Sequence, residues 1–234
     1  MNDWTIDLDE FISNAIKEDV GDGDHTSLAC VPAEGSKTAF LLVKEQGILA
    51  GVEVALQVFN HIDPELNTKV YLNDGNAIKP GDIVFEVSGS ARSILKAERL
   101  VLNCMQRMSG IATNTRKYVN LVKEYPCKIL DTRKTTPGFR VIEKWAVRIG
   151  GGVNHRFGLY DMIMIKDNHI DFAGGIEKAI TKTRNYLEEV KKDLKIEVEA
   201  RNLKEVQEIM AVGGIDRIML DNFSIEEMKT AVQM

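Results

Sequence analysis

The sequence predicts an α/β protein: a small α+β unit followed by parallel βα units. Three observations carry that reading. From Lys37 to Ala91 short apolar runs are separated by turn residues. After Pro126 short apolar runs alternate with amphipathic stretches of helical period. The residues that follow those later runs are charged or amide-bearing, the types that gather at the C-terminal ends of strands in βα folds.

Taken in order, Leu8 to Lys17 places Leu8, Phe11, Ile12, Ala15 and Ile16 on one stripe and reads as an amphipathic helix. The Gly- and Asp-rich segment Glu18 to Ser27 ends it and reads as a loop, with His25 a loop or capping residue. KTAFLLVKEQG, ILAGV, KVYLNDG and DIVFEVSG read as strands, the last after the Lys79-Pro80-Gly81-Asp82 turn, with a helix at Glu53 to Asn60. Ser93 to Arg107 is a helix through Ile94, Leu95, Leu102 and Met105. Ser109-Gly110 interrupts it, and Thr113 to Lys123 resumes. The domain boundary is expected there, giving domains 1–108 and 109–234. Beyond Pro126 the expected strands are Lys128–Leu130, Met162–Ile165, Ile196–Ala200 and Arg217–Leu220. The expected helices are Gly138–Arg148, Ile176–Lys191, Leu203–Met210 and Ser224–Val232. Four strands are too few to close an eight-stranded barrel, so an open sheet or an incomplete barrel is expected.

Composition narrows the function. The 234 residues are 44% hydrophobic and 28% charged, ordinary for a globular chain and unlike disordered, collagenous or coiled-coil sequences. Cys30, Cys104 and Cys127 are odd in number and widely spaced, which suggests neither a disulfide framework nor a zinc knuckle and points to a reducing compartment. The acidic start MNDWTIDLDE does not resemble a signal peptide, and apolar runs such as Ala39 to Val43 fall far short of a membrane helix. A cytoplasmic protein without a membrane partner is expected. The net charge of -5 argues against nucleic acid.

Charge is unevenly spread. Up to Glu34 there are nine acids and one base, Lys17, whereas Asp131 to His169 holds seven bases and four acids. A cationic middle in an acidic chain suggests a small anionic ligand. Arg140, Lys144 and Arg148 recur at helical spacing and read as a solvated helix face. Four apolar runs lead into polar ends: Leu130 into Asp131-Thr132-Arg133-Lys134, Ile165 into Lys166-Asp167-Asn168-His169, Val198 into Glu199, and Leu220 into Asp221-Asn222. Polar turns alone explain any one of these, but hardly all four together. Arg133, Arg156, Lys166 and His155 suit a carboxylate or phosphate. Glu199 and Asp221 suit ribose hydroxyls, a divalent cation arriving with a phosphorylated substrate, or a developing positive centre. Gly150-Gly151-Gly152 lacks nucleotide-loop spacing; it either forms a tight loop that aims His155 and Arg156 or stops the helix after Arg148.

Several segments together resemble the quinolinate phosphoribosyltransferase family. They are EDVGDGDHTS (from Glu18), AERLVLN (from Ala97), SGIAT (from Ser109), DTRKTTPG (from Asp131), GGGVNHR (from Gly150), IKDNH (from Ile165), EVE (from Glu197) and LDNF (from Leu220). DTRKT, GGGVNHR and KDNH are the specific ones. The resemblance implies an N-terminal α/β sandwich and a C-terminal open TIM-like α/β barrel, and a carboxylating nicotinate-nucleotide pyrophosphorylase of NAD biosynthesis. The implied substrates are quinolinate and phosphoribosyl pyrophosphate, with Mg2+. Carried over by motif, Arg133, His155, Arg156 and Lys166 hold quinolinate, joined by Arg99 from the other subunit of a homodimer. Thr132, Lys134, Lys166, Glu199 and Asp221 meet the phosphoribosyl donor, with Lys134, Lys166, Glu199 and Asp221 as the catalytic set. No direct metal ligation is expected, but Glu199 and Asp221 could hold the ion through water. The family continues past the LDNF motif with a Ser-Gly-Gly loop and a Gly-Ala pair that bind the ribose phosphate. Neither follows here, so the barrel is expected to be incomplete. Two alternatives follow: a non-catalytic quinolinate-binding relative, and the related enzyme associated with molybdenum uptake.

Overall fold

The computed structural model describes residues 8–234, so Asp3 and Asp7 of the acidic start lie outside the described residues. Two compact units divide the chain, one ending at His155 and the other beginning at Arg156.

In the first unit, helix α1 (Leu8–Val20) buries Ile12, the centre of the apolar stripe, and runs on past Lys17. The expected loop then contains a short helix, α2 (His25–Cys30). Asp24 starts it by accepting the Ser27 N–H at 3.0 Å, so Asp24 is the cap and His25 lies inside the first turn. Strands β1 (Ser36–Leu42), β3 (Asn67–Val70) and β5 (Ile83–Ser90) form an antiparallel sheet ordered β1-β5-β3. A second pair, β2 (Gly47–Ile48) and β4 (Ala77–Ile78), is also antiparallel. Helix α3 (Val52–Ile62) and the long α4 (Ala91–Leu121) supply Val54, Val58, Ala97, Cys104 and Met108 to one core with Val84 and Val87 of β5. Helix α5 (Arg140–Ile149) adds Ile142 and Ala146.

Two expectations fail here for one physical reason. Of ILAGV only Ile48 is in a strand, the end of β2, and Ser109-Gly110 does not break the helix: α4 is continuous over 31 residues. The Ser109 hydroxyl accepts the Ala50 N–H at 3.0 Å and donates to the Ala50 carbonyl at 3.1 Å, while Thr113 Oγ1 accepts the Ile48 N–H at 2.8 Å. The 48–50 backbone therefore meets its hydrogen-bonding needs on helix side chains instead of a longer strand. Gly51 then turns the chain with φ 100°, and a Cβ there would sit 3.2 Å from Met105 Cα. One glycine within a helix costs about 1 kcal/mol, which this packing offsets.

In the second unit, β6 (Ile163–Ile165), β7 (Ile196–Ala200) and β8 (Arg217–Leu220) form a parallel sheet ordered β6-β7-β8. Helix α6 (Asp167–Ala173), unforeseen in KDNH, follows β6 directly and precedes α7 (Ile176–Glu189). Helix α8 (Leu203–Val212) follows β7, and α9 (Ile225–Gln233) follows β8. Ile165, Ile180, Val198, Ala200 and Ile209 make its core. Lys128–Leu130 is no strand; among the described residues it is reduced to a single parallel bridge, Leu130 to Val153, within the first unit. No described helix is long and apolar enough to cross a membrane.

Candidate functional site

In the first unit the DTRKT segment and the GGGVNHR segment run side by side. Val153 donates to Ile129 O at 2.9 Å, and Asp131 N–H donates to Val153 O at 3.3 Å. The glycines serve both expected purposes. Helix α5 stops at Gly150, and Arg116 of α4 donates to the Ile149 and Gly150 carbonyls at 3.2 and 2.9 Å. A Cβ on Gly150 would lie 2.6 Å from Ala112 O, and one on Gly152 2.9 Å from Thr115 Cγ2, so both residues must be bare for the loop to lie against α4.

Asp131 joins the two segments. Its carboxylate accepts the His155 N–H at 2.8 Å and Asn154 Nδ2 at 2.5 Å, and it pairs with Lys144 Nζ. Lys144 also donates to His155 O at 3.1 Å. This corrects the solvated-face reading of Arg140, Lys144 and Arg148: Arg148 is exposed, but Lys144 is only 3% exposed. Helical spacing identifies a face without saying which neighbour covers it. Arg140 Nε reaches Thr135 Oγ1 at 3.0 Å, and buried Glu143 accepts both the Thr136 N–H at 3.2 Å and Arg107 of α4 at 2.7 Å. The loop so held presents Thr132 and Lys134 to solvent, with Arg133 half-buried between them. Arg133 Nε is buried and finds no acceptor among the described residues. A buried donor without a partner is costly, and a bound anion would satisfy it.

In the second unit the parallel register aligns charges in rows on one face of the sheet. Glu197 lies opposite Arg217, and Glu199 opposite Met219, while Ile196, Val198 and Ala200 take the core side. Lys166, just past β6, donates to Glu199 Oε1 at 3.0 Å, and Arg217 lies 3.6 Å from Glu197. Asp221 follows β8, two residues beyond Met219 and so on the same face; it is exposed, with Asn222 Nδ2 3.0 Å from its Oδ2. Arg156 is buried and donates to Met162 O at 3.2 Å. Asp161 accepts the Phe157 and Gly158 N–H groups at 2.8 and 2.7 Å, fixing the loop that follows Arg156. Among the described residues no three His, Cys, Asp or Glu side chains gather into a metal cage.

Comparison with known families matches residues 24–109 to the quinolinate phosphoribosyl transferase N-terminal domain and residues 111–234 to its C-terminal domain. The chain belongs to the quinolinate phosphoribosyltransferase family. It is 46% identical over 227 residues to the mitochondrial quinolinate phosphoribosyltransferase 2b of Nicotiana tabacum, covering 94% of this chain and 64% of that protein. It is 42% identical over 231 residues to a probable nicotinate-nucleotide pyrophosphorylase of Synechocystis, covering 99% of this chain and 76% of that one. The solved structure of NadC from Streptococcus pyogenes matches with TM-score 0.89 at 42% identity, over 97% of this chain and 79% of that one. The nicotinate-nucleotide pyrophosphorylase of Francisella tularensis matches with TM-score 0.87 at 41% identity, over 97% and 78%. The chain thus spans 64% of the length of the tobacco protein and 76 to 79% of the other three.

Within this quinolinate phosphoribosyltransferase-family chain, the first unit carries Thr132, Arg133, Lys134 and His155, and the second brings Lys166 against Glu199 and sets Asp221 at the next strand end. Arg99 stands exposed on α4. Sequence reasoning missed the supports: Asp131 and Asn154 were visible only as motif letters, and Lys144 was assigned to solvent. The available signal was an Asp and an Asn flanking the cationic residues inside two specific motifs.

Proposed function

We propose that this chain performs the reaction of a carboxylating nicotinate-nucleotide pyrophosphorylase in NAD biosynthesis, on quinolinate and phosphoribosyl pyrophosphate. The observation that carries this reading is the buried Nε of Arg133, which has no acceptor among the described residues and is a fixed donor suited to one arm of a planar dicarboxylate. His155, Arg156 and Lys166 take the remaining carboxylate charge. Thr132, Lys134, Lys166, Glu199 and Asp221 take the donor, with Lys134, Lys166, Glu199 and Asp221 as the catalytic set. Hard carboxylate oxygens at adjacent strand ends fit a magnesium ion that keeps most of its water, and the ion would supply charge neutralisation of the pyrophosphate. Arg99, exposed on α4, completes quinolinate binding from the second subunit of a homodimer. The second unit's βα repeats form part of an open barrel, and the protein acts in the cytoplasm without membrane or nucleic-acid partners.

The chemistry follows from charge placement. As the bond from ribose C1′ to pyrophosphate breaks, positive charge grows on the ribose, and Glu199 and Asp221 stabilise it. Cationic groups fix the two carboxylates so that the pyridine nitrogen lines up with C1′ and forms the new bond. The nitrogen is then cationic, so the electron pair freed when the adjacent carboxylate leaves as CO2 is stabilised beside it. A proton then replaces CO2 on the ring, giving nicotinate mononucleotide. Titration calorimetry of quinolinate, followed by mass spectrometry after adding phosphoribosyl pyrophosphate and magnesium, tests the reading. The expected result is binding and then nicotinate mononucleotide with pyrophosphate. Binding without product would reduce the chain to a quinolinate-binding relative, and no binding would overturn the reading.

A further inference from the structure

We infer that Lys144 is a positioning residue: with Asp131 it forms a buried ionic clamp that sets the distance between the Arg133 loop and the His155 loop. This rests on the functional reading above for what the loops bind, though not for the clamp itself. Lys144 is 3% exposed and the Asp131 side chain 8%, so neither charge is solvated by water. A buried cation at this cost persists where its partners are fixed and complete. The Asp131 carboxylate holds three donors, from Lys144, Asn154 and the His155 backbone. Lys144 adds the His155 carbonyl at 3.1 Å, and Asn154 Nδ2 returns to the Lys144 carbonyl at 2.8 Å.

The consequence is geometric. His155 is gripped at both its backbone N–H and its carbonyl by one ion pair, and the carboxylate of that pair lies two residues before Arg133. Among the described residues the backbone pairing between the two segments is a single β-bridge, too little ladder to fix their register. Helix α5 thus acts as a rigid spine. Arg140 and Glu143 hold Thr135 and Thr136 on one side, and Lys144, on the next turn position, holds the start of the loop and its neighbour. A dicarboxylate gripped by side chains on both loops needs their spacing fixed to a fraction of an ångström.

The test uses Lys144→Met, which keeps the stem and removes the charge, and Asp131→Asn, which keeps the shape but turns a donor toward Asn154. Two measurements are made on the full chain. Amide hydrogen exchange, which needs no ligand, is expected to quicken at least tenfold at residues 131–136 and 153–155 while α4 core amides keep their rates. Calorimetry with pyridine-2,3-dicarboxylate is expected to show a Kd raised at least tenfold with unchanged stoichiometry. A purely structural role would instead lower the stoichiometry through loss of folded protein and leave Kd alone. Unchanged exchange in both loops overturns the clamp whatever the ligand does. Quickened exchange in a protein whose parent chain binds no dicarboxylate supports the clamp and overturns the functional reading instead.

Discussion

Arg133 and Cys104 illustrate how burial decides what a side chain does. Arg133 keeps a buried Nε with no acceptor among the described residues, so Arg133→Ala should weaken quinolinate binding by about 2 to 5 kcal/mol, the range for losing one partner of a desolvated charge pair. Titration calorimetry reads this directly, and an unchanged affinity would remove Arg133 from the site. Cys104, fully buried among α4 core residues, has its thiol pushed up to about 11 by burial. Cys30 and Cys127 are exposed. Because the thiolate is the nucleophile, iodoacetamide near pH 8 should label Cys30 and Cys127 and spare Cys104 until denaturant is added; mass spectrometry of the native protein showing early labelling of Cys104 would contradict this. The sequence made the cationic residues legible, because Arg and His inside specific motifs stand out. Their supports were not: nothing in a one-dimensional pattern says that Lys144 faces Asp131 and not water.

At the scale of the element, helix starts depend on groups far away in sequence. Gly51 precedes α3 and offers no side-chain cap; Asp74 supplies it, accepting the Val52 N–H at 2.8 Å from a loop 22 residues on. Burial raises the Asp74 carboxyl above its ordinary value, despite the backbone N–H groups that pull it down. The folded state thus binds this proton more tightly than the unfolded chain, so Asp74 favours folding below the ordinary carboxylate value. That contribution is lost as pH rises through the raised one. Asp74→Asn keeps the acceptor without the charge and should flatten that part of the stability curve, while Asp74→Ala should cost about 1 kcal/mol of cap. Urea unfolding between pH 4 and 7 measures both, and an Asn variant with the parent's pH slope would show that Asp74 is not its source. The longer helices were legible from their apolar stripes, whereas the short α2 and α6 were not. The Ser109-Gly110 break was misread, since a serine that serves another segment's backbone looks in sequence like one that ends a helix.

For the whole molecule, the proposed homodimer makes a prediction that no single-chain property gives. If Arg99 acts across the interface, Arg99→Ala and Arg133→Ala are each inactive, yet mixing them after reversible dissociation restores one intact site in each mixed dimer. With random pairing that is about a quarter of the parent activity, because a twofold interface gives each site one residue from either chain. No recovery on mixing, with mixed dimers confirmed by native mass spectrometry, would place Arg99 within its own subunit's chemistry. The sequence by itself determined the α/β class, the three parallel strands β6 to β8 and the family, because apolar periodicity and motif chemistry are local properties of neighbouring residues. Tertiary structure alone decided that Lys128–Leu130 is a bridge and not a strand, that α4 is unbroken, and that Lys144 is buried against Asp131. Those outcomes depend on which distant backbone or charge arrives to satisfy a polar group, and the desolvation cost of leaving it unmet settles the matter only once the chain has folded.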